Sequence, residues 1–227
     1  MAASFLRTGK KIVAIGRNYA EHIKELNSAA PTEPFFFLKP TSSYLVSGGK
    51  LEIPKGVVAH HEVELGLVIG KPGRDISQAD AESHIAGYTL AVDMTARNLQ
   101  AKVKKLGLPW SAAKGFDGFT PISPTLIPKH IIQDPHNLKL TLKINGITKQ
   151  DGTTADMIFR IPHLIEHISS IMTLEEGDLV LTGTPSGVGP VVAGDKVECT
   201  LSDASGSELA SLDFEAVPRQ AGYEFKP

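Results

Sequence analysis

His60-His61-Glu62-Val63-Glu64-Leu65-Gly66-Leu67-Val68-Ile69-Gly70 alternates apolar side chains with acidic or small ones before ending in an apolar run. Successive side chains of a β-strand point to opposite faces. Val63, Leu65, Leu67 and Ile69 therefore share one face, and Glu62, Glu64 and Gly66 the other. The two carboxylates then stand roughly 7 Å apart at Cα. Like charges beside apolar surface repel one another and lose hydration; a hard cation relieves both effects, and Gly66 leaves space for it. The same pattern also fits an edge strand with two solvated glutamates, so a second element has to decide.

That element is Gly87-Tyr88-Thr89-Leu90-Ala91-Val92-Asp93-Met94-Thr95. Tyr88, Leu90 and Val92 make an apolar face; Thr89, Ala91 and Asp93 share the opposite one. Asp93 ends the strand just as a helix, Ala96–Lys105, begins. Thr95 is better placed than Asp93 to cap that helix, which leaves Asp93 available as a ligand. Three carboxylates with open positions suit Mg²⁺ or Mn²⁺, which favour oxygen and retain waters or substrate oxygens. His60 and His61 suggest zinc instead, but no further Cys or His follows with structural-zinc spacing.

Cationic and basic groups surround this pair of strands. Arg97 and Gln100 lie three residues apart on one helical face, one turn beyond Asp93, and a guanidinium can grip a carboxylate through two parallel hydrogen bonds. Lys114 sits in the small-residue stretch Trp110-Ser111-Ala112-Ala113-Lys114-Gly115-Phe116, and Lys39 ends Phe35-Phe36-Phe37-Leu38-Lys39-Pro40. Each is either a surface lysine or a site cation. His22 and Glu25 are again three apart on a helix; a carboxylate beside an imidazole orients it and raises its basicity, as a general base requires. An exposed helix with ordinary charges is the plainer alternative. Thr182-Gly183-Thr184-Pro185-Ser186-Gly187-Val188-Gly189 lacks the Walker lysine and reads as a glycine-rich turn offering backbone N–H groups and Thr184 to a small anion.

Many short β-type runs, punctuated by 21 Gly and 15 Pro, predict a strand-rich single domain spanning 1–227. The expected strands are Lys11–Gly16, Phe35–Lys39, Glu62–Ile69, Tyr88–Asp93, Leu138–Ile144, Leu179–Thr182, Lys196–Leu201 and Glu208–Phe214. Asn145-Gly146 after alternating Leu138, Leu140, Leu142 and Ile144 signals a hairpin, because both residues tolerate positive φ. Helical spacing appears in Tyr19–Leu26, Ala79–Ile85 (with Ser77 as a cap), Ala96–Lys105 and Pro162–Ile171. Asn27–Pro34 is small, polar and proline-broken, as expected of a mobile surface loop.

The 227 residues are 41% hydrophobic and 21% charged, with a formal charge of -2. That balance creates no field to draw nucleic acid or a membrane surface, so an anionic ligand must be held by local Lys and Arg. No apolar run approaches the roughly 20 residues that span a bilayer. The single Cys199 excludes an internal disulfide and fits a reducing compartment. The first twenty residues lack acids and carry Arg7, Lys10, Lys11 and Arg17, a composition compatible with a mitochondrial presequence; Lys11–Ile15 nevertheless reads as a strand, leaving little for a leader.

Taken together, Gly16-Arg17-Asn18-Tyr19-Ala20-Glu21-His22, Phe37-Leu38-Lys39-Pro40, His61-Glu62-Val63-Glu64-Leu65-Gly66, Asp93-Met94-Thr95-Ala96-Arg97, Leu108-Pro109-Trp110 and Leu181-Thr182-Gly183-Thr184-Pro185 resemble the fumarylacetoacetate hydrolase superfamily, in family order. The likeness is greatest to its short acylpyruvase branch. The resemblance implies an α+β, predominantly β fold, a mixed-β roll with a few covering helices, and a homodimer. It implies Mg²⁺ or Mn²⁺ on Glu62, Glu64 and Asp93, and a water-activating dyad of His22 and Glu25 on a lid of about 17–34. It puts Lys114 in a catalytic role and Arg17, Lys39, Arg97, Gln100 and Thr184 against substrate.

The activities implied are acylpyruvate hydrolysis, oxaloacetate decarboxylation and oxaloacetate keto–enol tautomerisation, often in mitochondria, with the cytoplasm as the alternative. All three pass through one enolate of a 2-oxo acid. Two departures bear on this. The separate N-terminal domain of fumarylacetoacetase has no counterpart, which argues against fumarylacetoacetate as main substrate, and Asn98 stands where the wider family commonly has Asp. Two rival readings remain beside it: a non-catalytic, metal-dependent oxo-acid sensor, which needs no base, and a zinc hydrolase using His60 or His61.

Overall fold

The computed structural model describes residues 4–25 and 31–226. Leu26, at the end of the helix expected from Tyr19, and residues 27–30 of the expected loop and lid lie outside the described residues. The architecture is predominantly β: an eight-stranded mixed sheet, a five-stranded sheet and a three-stranded one, with short helices at their margins. The large sheet runs in the order Phe35–Lys39, Ile12–Gly16, Leu179–Leu181, Val63–Ile69, Ile85–Val92, Thr120–Ile122 and Tyr44–Val46, with Ile127–Pro128 also on Ile85–Val92. The five-stranded sheet is ordered Ile147–Thr153, Lys139–Ile144, Lys196–Ser202, Glu208–Pro218 and Gly49–Ile53. No helix among the described residues is long and apolar enough to cross a membrane.

Val63–Ile69 is central, hydrogen-bonded to Leu179–Leu181 on one side and Ile85–Val92 on the other, and all seven of its residues are buried. The edge-strand alternative fails for that reason: both rows of backbone groups are paired and both faces are covered. Alternation sorts the sheet's side chains between two apolar layers. Val13, Ile15, Leu65, Leu67, Leu90 and Val92 join the main core, which also holds Leu140, Leu142, Cys199 and Phe214 of the second sheet. Ile12, Ala14, Val68, Ala91, Leu179 and Leu181 form a smaller cluster on the reverse face with Phe5. Each buried Val, Leu or Ile among these contributes roughly 1.5–3 kcal/mol, so register is strongly fixed: a one-residue slip would exchange the two layers.

The Asn145-Gly146 turn forms as expected, with φ of 51° and 79°, and closes Lys139–Ile144 onto Ile147–Thr153. Four expectations need correction. A Cβ on Gly66 would meet Leu179 Cδ1 and Thr89 Cγ2 at 2.9 Å, so side chains occupy the space expected for a cation. Thr95 caps no helix: Ala96 is the cap position of Arg97–Lys105 and has no side-chain cap, while Thr95 pairs with His60 in the three-stranded sheet. Ser77 stands outside the helix expected at Ala79, which is the single turn Ala81–His84, and bonds Asp80 instead. Ser111–Lys114, where no helix was expected, is a helical turn.

Candidate active site

Two strand ends bring the acidic residues together. Val63 pairs with Val92, and the Asp93 N–H donates to the Glu62 carbonyl at 2.8 Å, so Asp93 lies directly across from Glu62. One oxygen from each of Glu62, Glu64 and Asp93 lies within 4.8 Å of the others. Their exposures are only 8%, 1% and 1%, which rules out three solvated surface acids.

Buried charge demands partners, and cations arrive from three further elements. Lys39, ending its strand, donates to Asp93 Oδ1 at 2.5 Å and to the Phe119 carbonyl at 2.6 Å. Lys114, presented by the Ser111–Lys114 turn, contacts Asp93 Oδ2 and reaches Glu62 Oε2 at 3.2 Å, with its ammonium 4.8 Å from the centre of the Phe37 ring. Arg97 donates to Glu62 Oε1 at 2.6 Å and to Gln100 Oε1 at 2.7 Å. The Thr95 hydroxyl donates to Glu62 Oε1 at 2.9 Å. Burial alone would raise the Glu62 carboxyl, but Lys114 and then Arg97 outweigh it and hold the group below its usual range. Burial likewise opposes charge on Lys114, yet Asp93 and Glu62 leave its pKa raised.

Glu64 differs. Its bonding partner is the Gly183 N–H, at 2.7 Å from Oε2. Burial, followed by the neighbouring Asp93 and Glu62 charges, pushes its carboxyl well above the ordinary value. A cluster of three oxygen anions, one of them with no cationic side chain bound among the described residues, fits a hard divalent ion. Neither histidine joins it. His61 is turned away, its Nδ1 against Gln150 Oε1 at 2.8 Å, and His60 Nδ1 faces Arg97 Nε at 3.4 Å.

Glu62 and Glu64 open onto a cavity of about 220 Å³ whose wall also includes Arg17, His22, Arg97, Gln100, Lys114 and Thr184. That volume suits a small acid; drug-sized ligands occupy roughly 300–1,000 Å³. Trp110 and Phe37 form an aromatic side of the wall, their rings 5.5 Å apart. His22 is buried, at 5% exposure, and its Nδ1 lies 3.2 Å from Glu25 Oε2. A carboxylate there accepts, so Nδ1 carries the hydrogen and Nε2 is the basic atom. Glu25 also accepts from the Gly187 N–H at 3.2 and 3.3 Å. The glycine-rich turn therefore does offer N–H groups to anions, and those anions are the chain's own Glu64 and Glu25. Arg17 adopts a left-handed backbone, φ 58°, at the step from strand to helix.

Lys39, expected against substrate, is outside the cavity wall and lies behind Asp93. Lys104 lines the wall and was missed, although Arg97, Gln100, Ala101 and Lys104 follow the i, i+3, i+4, i+7 spacing of one helical face. Thr95 was also missed as a Glu62 partner; it shares the face of Asp93 two residues earlier, and that was the available signal.

Such a roll, with an acidic cluster and an imidazole on one small cavity, belongs to a recognisable class of metal-dependent enzymes. The chain is a member of the fumarylacetoacetate hydrolase family, matching the fumarylacetoacetate (FAA) hydrolase C-terminal description over residues 11–213. It is 56% identical to "Oxaloacetate tautomerase FAHD1, mitochondrial" of Arabidopsis thaliana, covering 90% of this chain and 92% of that one. It is 58% identical to "Oxaloacetate decarboxylase, mitochondrial" of Dictyostelium discoideum, covering 87% and 91%. The crystal structure of fumarylpyruvate hydrolase from Pseudomonas aeruginosa, in complex with Mn²⁺ and pyruvate, superposes with a TM-score of 0.83 at 34% identity, covering 93% and 91%.

Proposed function

We propose that this protein is a Mg²⁺- or Mn²⁺-dependent enzyme of small 2-oxo acids, acting on oxaloacetate and acylpyruvates through a shared enolate. The observation that carries this is the convergence of Glu62, Glu64 and Asp93 beneath a cavity that also holds His22, Arg17, Arg97 and Lys114. The sensor alternative is disfavoured because binding alone has no use for an oriented imidazole. Glu62, Glu64 and Asp93 are the proposed metal ligands. The ion, when bound, supplies Lewis-acid polarisation of the substrate oxygens.

The remaining work falls to side chains. Arg97, with Gln100, Thr184 and Arg17, binds and orients the substrate carboxylates; Lys114 stabilises charge developing on the 2-oxo oxygen. Lys39 acts from behind by holding Asp93. His22, oriented by Glu25, moves the proton at Nε2. In tautomerisation it takes a C3 proton, the electron pair passes to the C2 oxygen, and protonation there gives the enol. In hydrolysis it takes a proton from water, which attacks the acyl carbonyl. The C3–C4 bond then breaks, its electrons form the pyruvate enolate, and the acyl group leaves as a carboxylate. In decarboxylation the same bond breaks with loss of CO₂, and the enolate is protonated at C3.

Residues 1–227 are proposed as one catalytic domain, with about 17–34 as its lid. Mitochondrial residence is proposed from the names of the relatives. A homodimer is the proposed assembly, for which the exposed Phe35 and Leu38 (40% and 43%) on an outermost strand supply apolar surface.

The test is turnover of keto- and enol-oxaloacetate and of acetylpyruvate by protein stripped with a chelator and then reloaded. Activity should vanish on stripping, return with Mg²⁺ or Mn²⁺, and be lost in His22→Ala while oxalate still binds. Undiminished turnover by stripped protein would overturn the proposal.

A further inference from the structure

We infer that Gln150 is a positioning residue that fixes the acidic cluster and the His22–Glu25 pair in one geometry. The inference rests on the functional reading above, that these groups hold the metal and move the proton. Gln150 belongs to Ile147–Thr153, an outer strand of the five-stranded sheet, and its side chain lies outside the cavity wall. It is 0% exposed. A carboxamide offers two N–H donors and an oxygen with two lone pairs, and every one of these is used. Oε1 accepts from His61 Nδ1 at 2.8 Å and from the Val63 N–H at 3.0 Å. Nε2 donates to Thr184 Oγ1 at 2.8 Å and to the Pro185 carbonyl at 2.9 Å. The partners fix both the amide orientation and the His61 tautomer.

The two ends of this carboxamide reach different parts of the site. His61 and Val63 flank Glu62 in the chain. Thr184 and Pro185 lie in the turn whose Gly183 N–H holds Glu64 and whose Gly187 N–H holds Glu25. One buried side chain thus joins the backbone of a metal ligand to the turn that bonds a second ligand and the dyad's carboxylate. Close packing points the same way. A Cβ on Gly152 would lie 2.3 Å from Pro185 Cβ, and one on Gly187 would lie 2.2 Å from the Lys149 carbonyl oxygen. The turn is therefore seated on this strand on both sides of Gln150. Gln150 makes no hydrogen bond to Arg97 or Lys114 and reaches the substrate's cationic grip only through Glu62, which both of them bond.

Two variants test this: Gln150→Met, which keeps the volume without hydrogen bonds, and Gln150→Glu, which keeps both acceptor contacts and removes both donors. Circular dichroism first establishes which of them fold. Mn²⁺ affinity is then read by electron paramagnetic resonance titration of stripped protein, and steady-state kinetics with oxaloacetate at saturating Mn²⁺, well below the melting temperature. Disturbed outer partners of metal ligands typically weaken metal binding ~10–100-fold. We expect at least ~10-fold weaker Mn²⁺ binding and a comparable fall in kcat, with KM nearly unchanged. A purely structural role would lower the melting temperature and leave both readouts alone; a folded variant of either kind with wild-type Mn²⁺ affinity and kcat overturns the inference. Loss of Mn²⁺ binding and turnover in the wild-type protein itself would instead overturn the functional reading, and the positioning role with it.

Discussion

Glu62 and Glu64 are two residues apart at one strand end, yet their carboxylates meet opposite surroundings. Glu62 accepts from Arg97, Lys114 and Thr95, whereas Glu64 accepts from the Gly183 N–H. The first is held charged by cations; the second has no cationic side chain bound to it among the described residues.

Glu64→Gln should therefore abolish metal binding at little cost to the fold. Adding Mg²⁺ or Mn²⁺ at ~100 times its Kd stabilises a folded protein by about 2.7 kcal/mol, worth roughly 5–10 °C in Tm at this chain length. That rise should be seen in wild type and be absent in the variant. The metal-free proteins should also differ with pH. Glu64's folded pKa is raised above 4.5, so the folded state binds more protons than the unfolded one from pH 4.5 upward. Wild-type stability should then fall as pH rises through that window, relative to Glu64→Gln. Parallel Tm–pH curves and a retained metal shift would exclude this account of Glu64.

Arg97→Lys keeps the charge but cannot span Glu62 and Gln100 together, contacts now made by two separate guanidinium nitrogens. Losing a charged hydrogen bond is worth about 1.5–3 kcal/mol, so kcat/KM for oxaloacetate should drop about 10- to 100-fold. Equal kcat/KM values would remove the fork geometry from the mechanism.

Gly187→Ala tests the link between the turn and the dyad. Its φ of 93° disfavours any L side chain, and the new Cβ would strike the Lys149 carbonyl oxygen. A strained backbone of this kind costs about 1–3 kcal/mol. Tm should fall, and kcat should fall with it because Glu25 loses its N–H partner. A variant with wild-type kcat would show that Glu25 orients His22 without help from the turn.

A further pH effect is expected from His136, outside the cavity wall. His136 Nε2 accepts the Ile161 N–H at 3.1 Å, where the helix Ile161–Ile171 begins. Burial, then Arg160, lower the His136 pKa against the opposing pull of Asp134. The unfolded state thus binds more protons just below pH 6.5, and the stability this group contributes is lost as pH falls from there. His136→Gln keeps an acceptor that does not titrate, so its Tm should decline less between pH 7 and 5. Identical slopes by calorimetry would rule His136 out.

Much of this was legible in the chain. Period-two alternation in Glu62–Ile69 and Tyr88–Asp93 located the central strands and three acids, because one face must be apolar. Asn-Gly chemistry located the 145–146 turn. What escaped depends on pairing between distant segments. Nothing local reveals that Leu179 fills the space above Gly66, that Thr95 enters a short ladder with His60, or that Lys39 ends behind Asp93. Gln150 gave no signal at all, since one glutamine inside the polar run Thr148-Lys149-Gln150-Asp151 reads as solvent-facing until the Thr182–Gly189 turn is laid over it.

Lys39, Lys114 and Arg97 match Glu62, Glu64 and Asp93 one for one in formal charge, and every ion pair among them is internal to the polypeptide. Order of assembly follows from that parity. Zinc-finger domains stay unfolded until their ion arrives, whereas a cluster neutralised by the chain's own cations would let the fold form before any ion is bound. An ion bound there would be in reversible equilibrium with a finished scaffold, so its identity would follow the supply of divalent cations around the protein, not the history of its folding.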